Sequence, residues 1–471
     1  MSTPPLRTVL IVGAGQAGQL LARDLQRSGS RLTPLGFIDD APNRIGSVVT
    51  GLPVLGVAEH IPEVARRHRV DEILIAIPSA TGAQIRRITG FCLDSGVPFR
   101  TSPSVADLPE CRLSLREIRD VRIEDILGRE PVRISRGQID ANLHGQVVLV
   151  TGAGGSIGSE LARQIALAAP ARLVLYERAE SDLFEVEHDV RRRTSAAEVV
   201  AAVGDILDID ELLDVFTRHR PTRIYHAAAY KHVPMMERHV VAAARNNVIG
   251  TANVLAAARE VGTEQFVLLS TDKAVRPTSV MGASKRAAER LVLAAGPPLP
   301  RCCPVRFGNV LGSRVRVVPR FQRQIAEGGP VTVTHPDVVR YFMTVHEAAQ
   351  LVLQASATAA GGEVFVLDMG ELVRIVDLAE QLIRLSGKEP RLDIPVEFIG
   401  LRPGEKLLEE TLTDPADAEP TSHPRIYVAR NANGGALPEG WLDALSRAID
   451  ERSTARVRSV LREAVPDYSQ A

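Results

Sequence analysis

In the stretch STDKAVRPTSVMGASK, Ser270 to Lys285, Thr271, Asp272 and Lys273 set a hydroxyl, a carboxyl and an amine side by side. These are the group types that move protons in catalysis. Met281 and Lys285 follow at i and i+4, so a helix here shows both on one face. A thioether carries no transferable proton, so Met281 can shape a pocket but cannot act as a base. Any proton chemistry must then run through its neighbours.

Such a cluster needs a rigid frame, and the chain has two strand, glycine turn, helix units. TVLIVGAGQAGQLLARDL opens the first, and QVVLVTGAGGSIGSELARQIA, from Gln146, opens the second. Each begins with the continuous β-branched run of a parallel strand buried on both faces. The expected class is α/β, with two Rossmann-like, doubly wound parallel-sheet domains.

Thr151 to Gly158 fit T-G-x-x-G-x-x-G: Gly152 allows the turn, Gly155 with Ser156 and Ile157 opens backbone N–H groups to a pyrophosphate, and Gly158 lets the helix pack closely. Glu177 ends the next strand, where it suits ribose hydroxyls and repels a 2′-phosphate. That favours NAD over NADP, although Arg178 beside it suits a phosphate. Asp205 and Ile206, in VGDILD, are placed at the adenine. The small residues Ala227 and Ala228 would let backbone approach the cofactor, and Asn247 faces inward from a following helix. In the first unit Gly13, Gly15 and Gly18 give G-x-G-x-x-G, with Asp39 and Asp40 at the end of a strand. That motif alone leaves ligand binding and a purely regulatory or structural domain equally open.

The 471 residues suit more than one domain: residues 1–110, a charged connector 111–145, a catalytic domain 146–430 and a helical tail 431–471 expected to be solvated or at an interface. With 45% apolar and 24% charged residues and a net charge of -1, the composition is that of a soluble globular protein. It offers no basic field for nucleic acid. No run approaches the roughly 20 apolar residues of a membrane span. Cys92, Cys111, Cys302 and Cys303 lack metal-ligand spacing, so neither a metal nor a disulfide framework is expected and the reducing cytoplasm is.

The motifs TGAGGSIGSE, HAAAYKHVPMME, LLSTDKAV, VMGASKRAAE, VRFGNVLGS, VTVTHPDVVRYFM and GLRPGEKLLEE, in this order, make the chain similar to the extended short-chain dehydrogenase/reductases. Within these it resembles the nucleotide-sugar 4,6-dehydratases that act on UDP-N-acetylglucosamine in bacterial polysaccharide and glycan synthesis. The resemblance implies a small C-terminal substrate-binding part in the second domain, bound NAD, a UDP-sugar substrate and a homo-oligomer. Many relatives carry membrane helices ahead of the first domain, and this chain begins without them.

By the same resemblance Thr271, Asp272 and Lys273 form the active-site trio, with Asp272 the acid for the C6 hydroxyl and Lys273 the base at C5. Acting as a base near neutral pH would require the amine to fall about 3 units from ~10.4. Burial, Lys285 and the positive nicotinamide would supply that shift. Lys285 also reaches the cofactor ribose. Met281 stands where the superfamily has Tyr, as in one branch of the dehydratases that retains C5 configuration. The C4 hydroxyl proton is then expected to leave through Thr271 and water to Asp272, the favoured route, or through the ribose hydroxyls held by Lys285.

On the substrate side the resemblance implies Lys231, Asn309, Arg340, Arg402 and Glu405, the last three as a clamp on UDP. His226 reads as a packed core residue. Arg314-Val315-Arg316 departs from the small, glycine-containing step usual after LGS. A nucleotide-sugar epimerase and a non-catalytic nucleotide-binding regulator are the alternatives.

Overall fold

The computed structural model describes residues 6–27, 31–102, 118–121, 125, 132, 134–295, 300–311, 317–410, 417–430 and 436–469. Cys111, Arg314, Val315 and Arg316 lie outside them. The chain divides into two compact units. One comprises Met1–Pro131, Phe321–Val331 and Ala379–Val396; the other comprises Val132–Arg320, Thr332–Leu378 and Glu397–Ala471.

In the first unit the strand Arg7–Val12 pairs in parallel with Leu32–Ile38 on one side and Glu72–Ile75 on the other. This is the centre of a seven-stranded sheet. Val9, Leu10, Ile11 and Val12 are buried on both faces, as their unbroken apolar run requires. At the end of this strand, where the strand order reverses, a cavity of about 580 Å³ is lined by Gly13, Gly15, Asp39, Asp40, Arg44 and Arg87. Gly13 adopts φ +102, and a Cβ on Gly18 would lie 1.8 Å from the Gly13 carbonyl oxygen, so the helix Gln16–Arg27 can pack there only on glycine. Asp39 accepts hydrogen bonds from the Ala14 and Ala41 N–H groups at 2.7 and 2.9 Å and from Arg44 at 2.9 Å, while Asp40 pairs with Arg87.

The second unit carries a nine-stranded sheet. From edge to edge it runs Glu198–Val203, Arg172–Glu177, Val147–Thr151, Arg223–His226, Gln265–Leu269, Arg301–Arg306, Phe365–Leu367, Ile426–Ala429 and Ala418–Pro420. The pairings are parallel up to Phe365–Leu367, and the last two strands are antiparallel. The order reverses between Val147–Thr151 and Arg223–His226, the place where open α/β sheets bind nucleotides. A small three-stranded sheet is formed by Asn309–Leu311, Val339–Thr344 and Leu372–Arg374.

Two expectations from composition change. The end of the connector is no linker: Arg136–Leu143 is a helix whose Ile139 and Leu143, at i and i+4, are buried in the core of the second unit. Nor is the tail solvated. The helices Trp441–Asp450 and Thr454–Ala464 bury Trp441, Leu445, Ile449, Val457 and Leu461 in one cluster with Val280, Met281, Ala283 and Ala287. Apolar residues at helical spacing close two facing stripes, and the charged residues between them hide that pattern in the composition.

Candidate active site

The glycine turn after Val147–Thr151 is held by contact. Gly152 adopts φ +66, and a Cβ on it would lie 2.7 Å from the Ala228 nitrogen; a Cβ on Gly158 would lie 2.1 Å from the Gly152 oxygen. The turn therefore packs on Ala227 and Ala228, and Ser156 and Ile157 open the helix Ser156–Ala166 whose N-cap is Gly155. Glu177 accepts from the Gly154 N–H at 3.1 Å through one oxygen and from the Arg178 and Ala179 N–H groups through the other. The oxygen that accepts only from Gly154 keeps a lone pair for a further donor such as a ribose hydroxyl. Asp39 in the first unit accepts from its own glycine turn in the same manner.

Arg178 donates to the Tyr230 hydroxyl at 2.9 Å, lies over its ring at 5.1 Å and approaches Asp205 at 3.8 Å. It is thus engaged with the protein's own groups on the adenosine side. Asp205 caps the Leu207 N–H at 3.0 Å, and Ile206 is buried beneath it. The residues fit a dinucleotide: a turn in which no Cβ can stand, a helix N-terminus, and an acid at the end of the second strand.

A buried polar chain links this turn to the active-site helix. Thr151 Oγ1 meets His226 Nδ1 at 2.7 Å, and His226 Nε2 meets Thr251 Oγ1 at 2.9 Å. Thr251 donates to the Asn247 carbonyl, and Asn247 bonds Tyr230 backbone and the Ser284 hydroxyl. Burial takes His226 down to about 3, with Lys285 adding to the effect, so the ring is neutral and structural. Asn247 sits in the π-helical turn Arg245–Ile249, a local widening that aims its amide inward.

Thr271 follows the strand Gln265–Leu269 and caps the short turn Asp272–Ala274. Asp272 is 1% exposed. Its Oδ1 accepts from Thr271 Oγ1 at 2.8 Å and from Lys273 Nζ at 2.9 Å, whereas its buried Oδ2 has no hydrogen-bond partner among the described residues. A Cβ on Gly308 would lie 2.9 Å from that Oδ2, so only glycine fits beside the oxygen. Lys285, at the second turn of the helix Val280–Ala294, is buried and donates to the Leu269 carbonyl at 2.6 Å. Burial pushes its amine down to about 8, with Glu289 opposing the shift. Met281, one turn earlier, is 2% exposed and packs in the apolar cluster closed by the C-terminal helices.

Lys273 departs from expectation. Burial by itself favours its neutral form, but Asp272 at 2.9 Å and Glu409 at 3.3 Å outweigh that and hold the amine above the ordinary lysine range. In this state the group is an ammonium, not a ready base. Arg340 also differs from the expected UDP clamp. It is buried, with its nitrogens taken by the carbonyls of Val339, Lys406 and Leu407 and its Nε 3.4 Å from Glu409. Arg402 and Glu405 bond each other, at 2.5 Å between side chains and 3.0 Å from the Arg402 N–H. Asn309 starts its strand half-buried, and Lys231 is exposed.

Glu409, 3% exposed, is the residue that motif reading passed over although it stands in GLRPGEKLLEE. A further signal lay in the lysines. The chain has only five, Lys231, Lys273, Lys285, Lys388 and Lys406, among 56 basic residues. Two of the five, Lys273 and Lys285, lie in this one stretch, and burial draws Lys285 towards its neutral form.

Residues 148–431 match the family described as polysaccharide biosynthesis protein. The chain belongs to this family. Residues 5–103 match a CoA-binding domain family. The chain is 44% identical over 411 residues, 86% of its length and 68% of the relative's, to the capsular polysaccharide biosynthesis protein CapD of Staphylococcus aureus. It is 35% identical over 242 residues, 50% of its length and 68% of the relative's, to a UDP-glucose 4-epimerase of Rickettsia canadensis. Among solved structures, Pen from Bacillus thuringiensis matches with a TM-score of 0.56 and 32% identity, covering 61% of this chain and 90% of that one. The α/β family fold with Rossmann-like parallel sheets is thus shared. No helix among the described residues is long and apolar enough to cross a membrane.

Proposed function

We propose that this family member is an NAD-dependent 4,6-dehydratase of UDP-N-acetylglucosamine, forming the 4-keto-6-deoxy sugar with retention at C5 for polysaccharide or glycan synthesis. The observation that carries the reading is Asp272 Oδ2, a buried carboxylate oxygen without a partner among the described residues, in the side chain that bonds the Lys273 amine. An elimination needs such an acid and base together.

Gly152, Gly155, Gly158, Glu177 and Lys285 would hold the cofactor, whose chemistry is to take a hydride from C4 and return it at C6. Glu177 favours the form without a 2′-phosphate. Asp272 receives the C4 hydroxyl proton through Oδ2 and delivers it to the departing C6 hydroxyl as water. Lys273 removes the C5 proton and replaces it on the same face. Met281 takes no proton; it closes the apolar wall behind Lys285. The substrate lies towards Lys231, Asn309 and the Arg402–Glu405 pair, in a cytoplasmic homo-oligomer.

The test is mass spectrometry and proton NMR of UDP-N-acetylglucosamine incubated with the protein and NAD in heavy water. Loss of one water with deuterium at C5 is expected. A changed sugar at unchanged mass would favour epimerisation instead, a reading supported by the Rickettsia canadensis relative.

A further inference from the structure

Lys273 faces three charged groups: Asp272 Oδ1 at 2.9 Å and Glu409 Oε1 at 3.3 Å, with Arg340 Nε 3.4 Å from that same Glu409 oxygen. Two acids and two bases make a neutral set, with Asp272 and Glu409 almost wholly enclosed. Such a set is stable at rest, and it holds Lys273 as the ammonium. A base held as an ammonium needs somewhere to leave its proton, and among the described residues Glu409 is the carboxylate beside it other than Asp272.

We propose that Glu409 is the positioning residue of Lys273: it holds the ammonium against Asp272 at rest and takes up its proton once Asp272 has become neutral. The inference rests on the dehydratase reading. When Asp272 accepts the C4 hydroxyl proton, the negative charge that most strongly supports the Lys273 ammonium disappears. One N–H proton of Lys273 then passes to Glu409 Oε1, leaving a neutral amine and a neutral carboxyl with the total charge unchanged.

The amine removes the C5 proton while Asp272 gives its proton to the C6 oxygen and the C6–O bond breaks. Lys273 is again an ammonium. It returns a proton to C5 when a hydride reaches C6, and Glu409 gives back the proton it stored. Every proton is accounted for: that of the C4 hydroxyl leaves in water, and that of C5 goes to the Lys273 amine, which exchanges with solvent and returns one proton, or one deuteron in heavy water, to C5. The Arg340 guanidinium, fixed by three carbonyls, keeps Glu409 from turning away between these steps.

The test uses the full chain labelled with [15N]lysine, in wild type, Glu409→Gln and Glu409→Asp, with the Lys273 signal assigned by Lys273→Arg. Without substrate, Lys273 is expected to lose its proton at lower pH in Glu409→Gln than in wild type, with the shift reversed in Glu409→Asp. The Lys285 titration serves as the internal check that the unit is folded. With substrate in heavy water, deuterium entry at C5 should fall about 100-fold near neutral pH in Glu409→Gln and recover as pH rises, because solvent must then take the proton. Wild type should lack that pH dependence, and Glu409→Asp should regain most of the rate.

An unchanged Lys273 titration overturns the proposal, as does a Glu409→Gln enzyme that raises KM while leaving C5 exchange intact. A wild-type protein that releases no water sinks the dehydratase reading, whereas the titration judges the hold of Glu409 on Lys273 without any turnover.

Discussion

The Lys285 ammonium donates to the Leu269 carbonyl at 2.6 Å, from a helix to the end of the strand that leads into Thr271, Asp272 and Lys273. The bond fixes the helix and strand in one register. It also places a cation where burial disfavours one, and the amine falls from 10.5 to about 8 as a result.

Between about 8 and 10.5 the folded state binds fewer protons at Lys285 than the unfolded chain does. Stability should therefore rise with pH across that window, and the full penalty, on the order of 3 kcal/mol, applies below it. Lys285→Met should remove the rise. Urea unfolding of both proteins over the same pH range checks this, and an equal slope in the two would refute it.

Glu289 is wholly buried. Burial alone would raise its carboxyl, but Arg306, bonded through both oxygens at 2.8 and 2.6 Å, with Arg286 and Ser270, brings it down to about 2. Its stabilisation is complete above its ordinary value of 4.5 and is lost as pH falls towards 2. Glu289→Gln strands the Arg306 charge and should cost about 3–5 kcal/mol in denaturant unfolding near neutral pH. The cost should shrink on acidification.

Met281 holds an apolar place and no proton. Met281→Leu conserves volume, so it should cost less than about 1.5 kcal/mol and leave turnover near wild type. A collapse of kcat without loss of stability would show that the thioether does more than pack.

Gly158→Ala puts a Cβ 2.1 Å from the Gly152 oxygen, against backbone that cannot swing aside. The expected result is about 1–3 kcal/mol of destabilisation and a loss of NAD affinity, read by calorimetry. Gly137→Ala, whose Cβ would meet nothing within 4 Å, is the control and should leave both unchanged.

Much of this was legible in order of residues. The strands Arg7–Val12 and Val147–Thr151 stand where unbroken β-branched runs stand, and Gly152 and Gly158 prove to be glycines for lack of room. Asp272, Lys273 and Lys285 are local to one stretch, so spacing alone is enough to single them out as a candidate site. The helix Arg136–Leu143 was hidden because two buried side chains in a polar segment leave little periodic signal. The partners of Lys273 and Arg340 were hidden for a different reason: Glu409 is more than a hundred residues from Lys273 in the chain, and no local rule pairs them.

The sequence by itself determined the glycine turns, the acid at the end of the second strand, the proton-bearing trio and the absence of a proton at Met281, because each depends on residue type and short-range spacing. Only the tertiary structure decided the charge state of Lys273, the diversion of Arg340 from a clamp into an internal strut, and the enclosure of Met281 by the C-terminal helices. Charge state and burial are set by groups brought together through the fold, and a carboxylate 3.3 Å away changes an amine's chemistry whatever its distance along the chain.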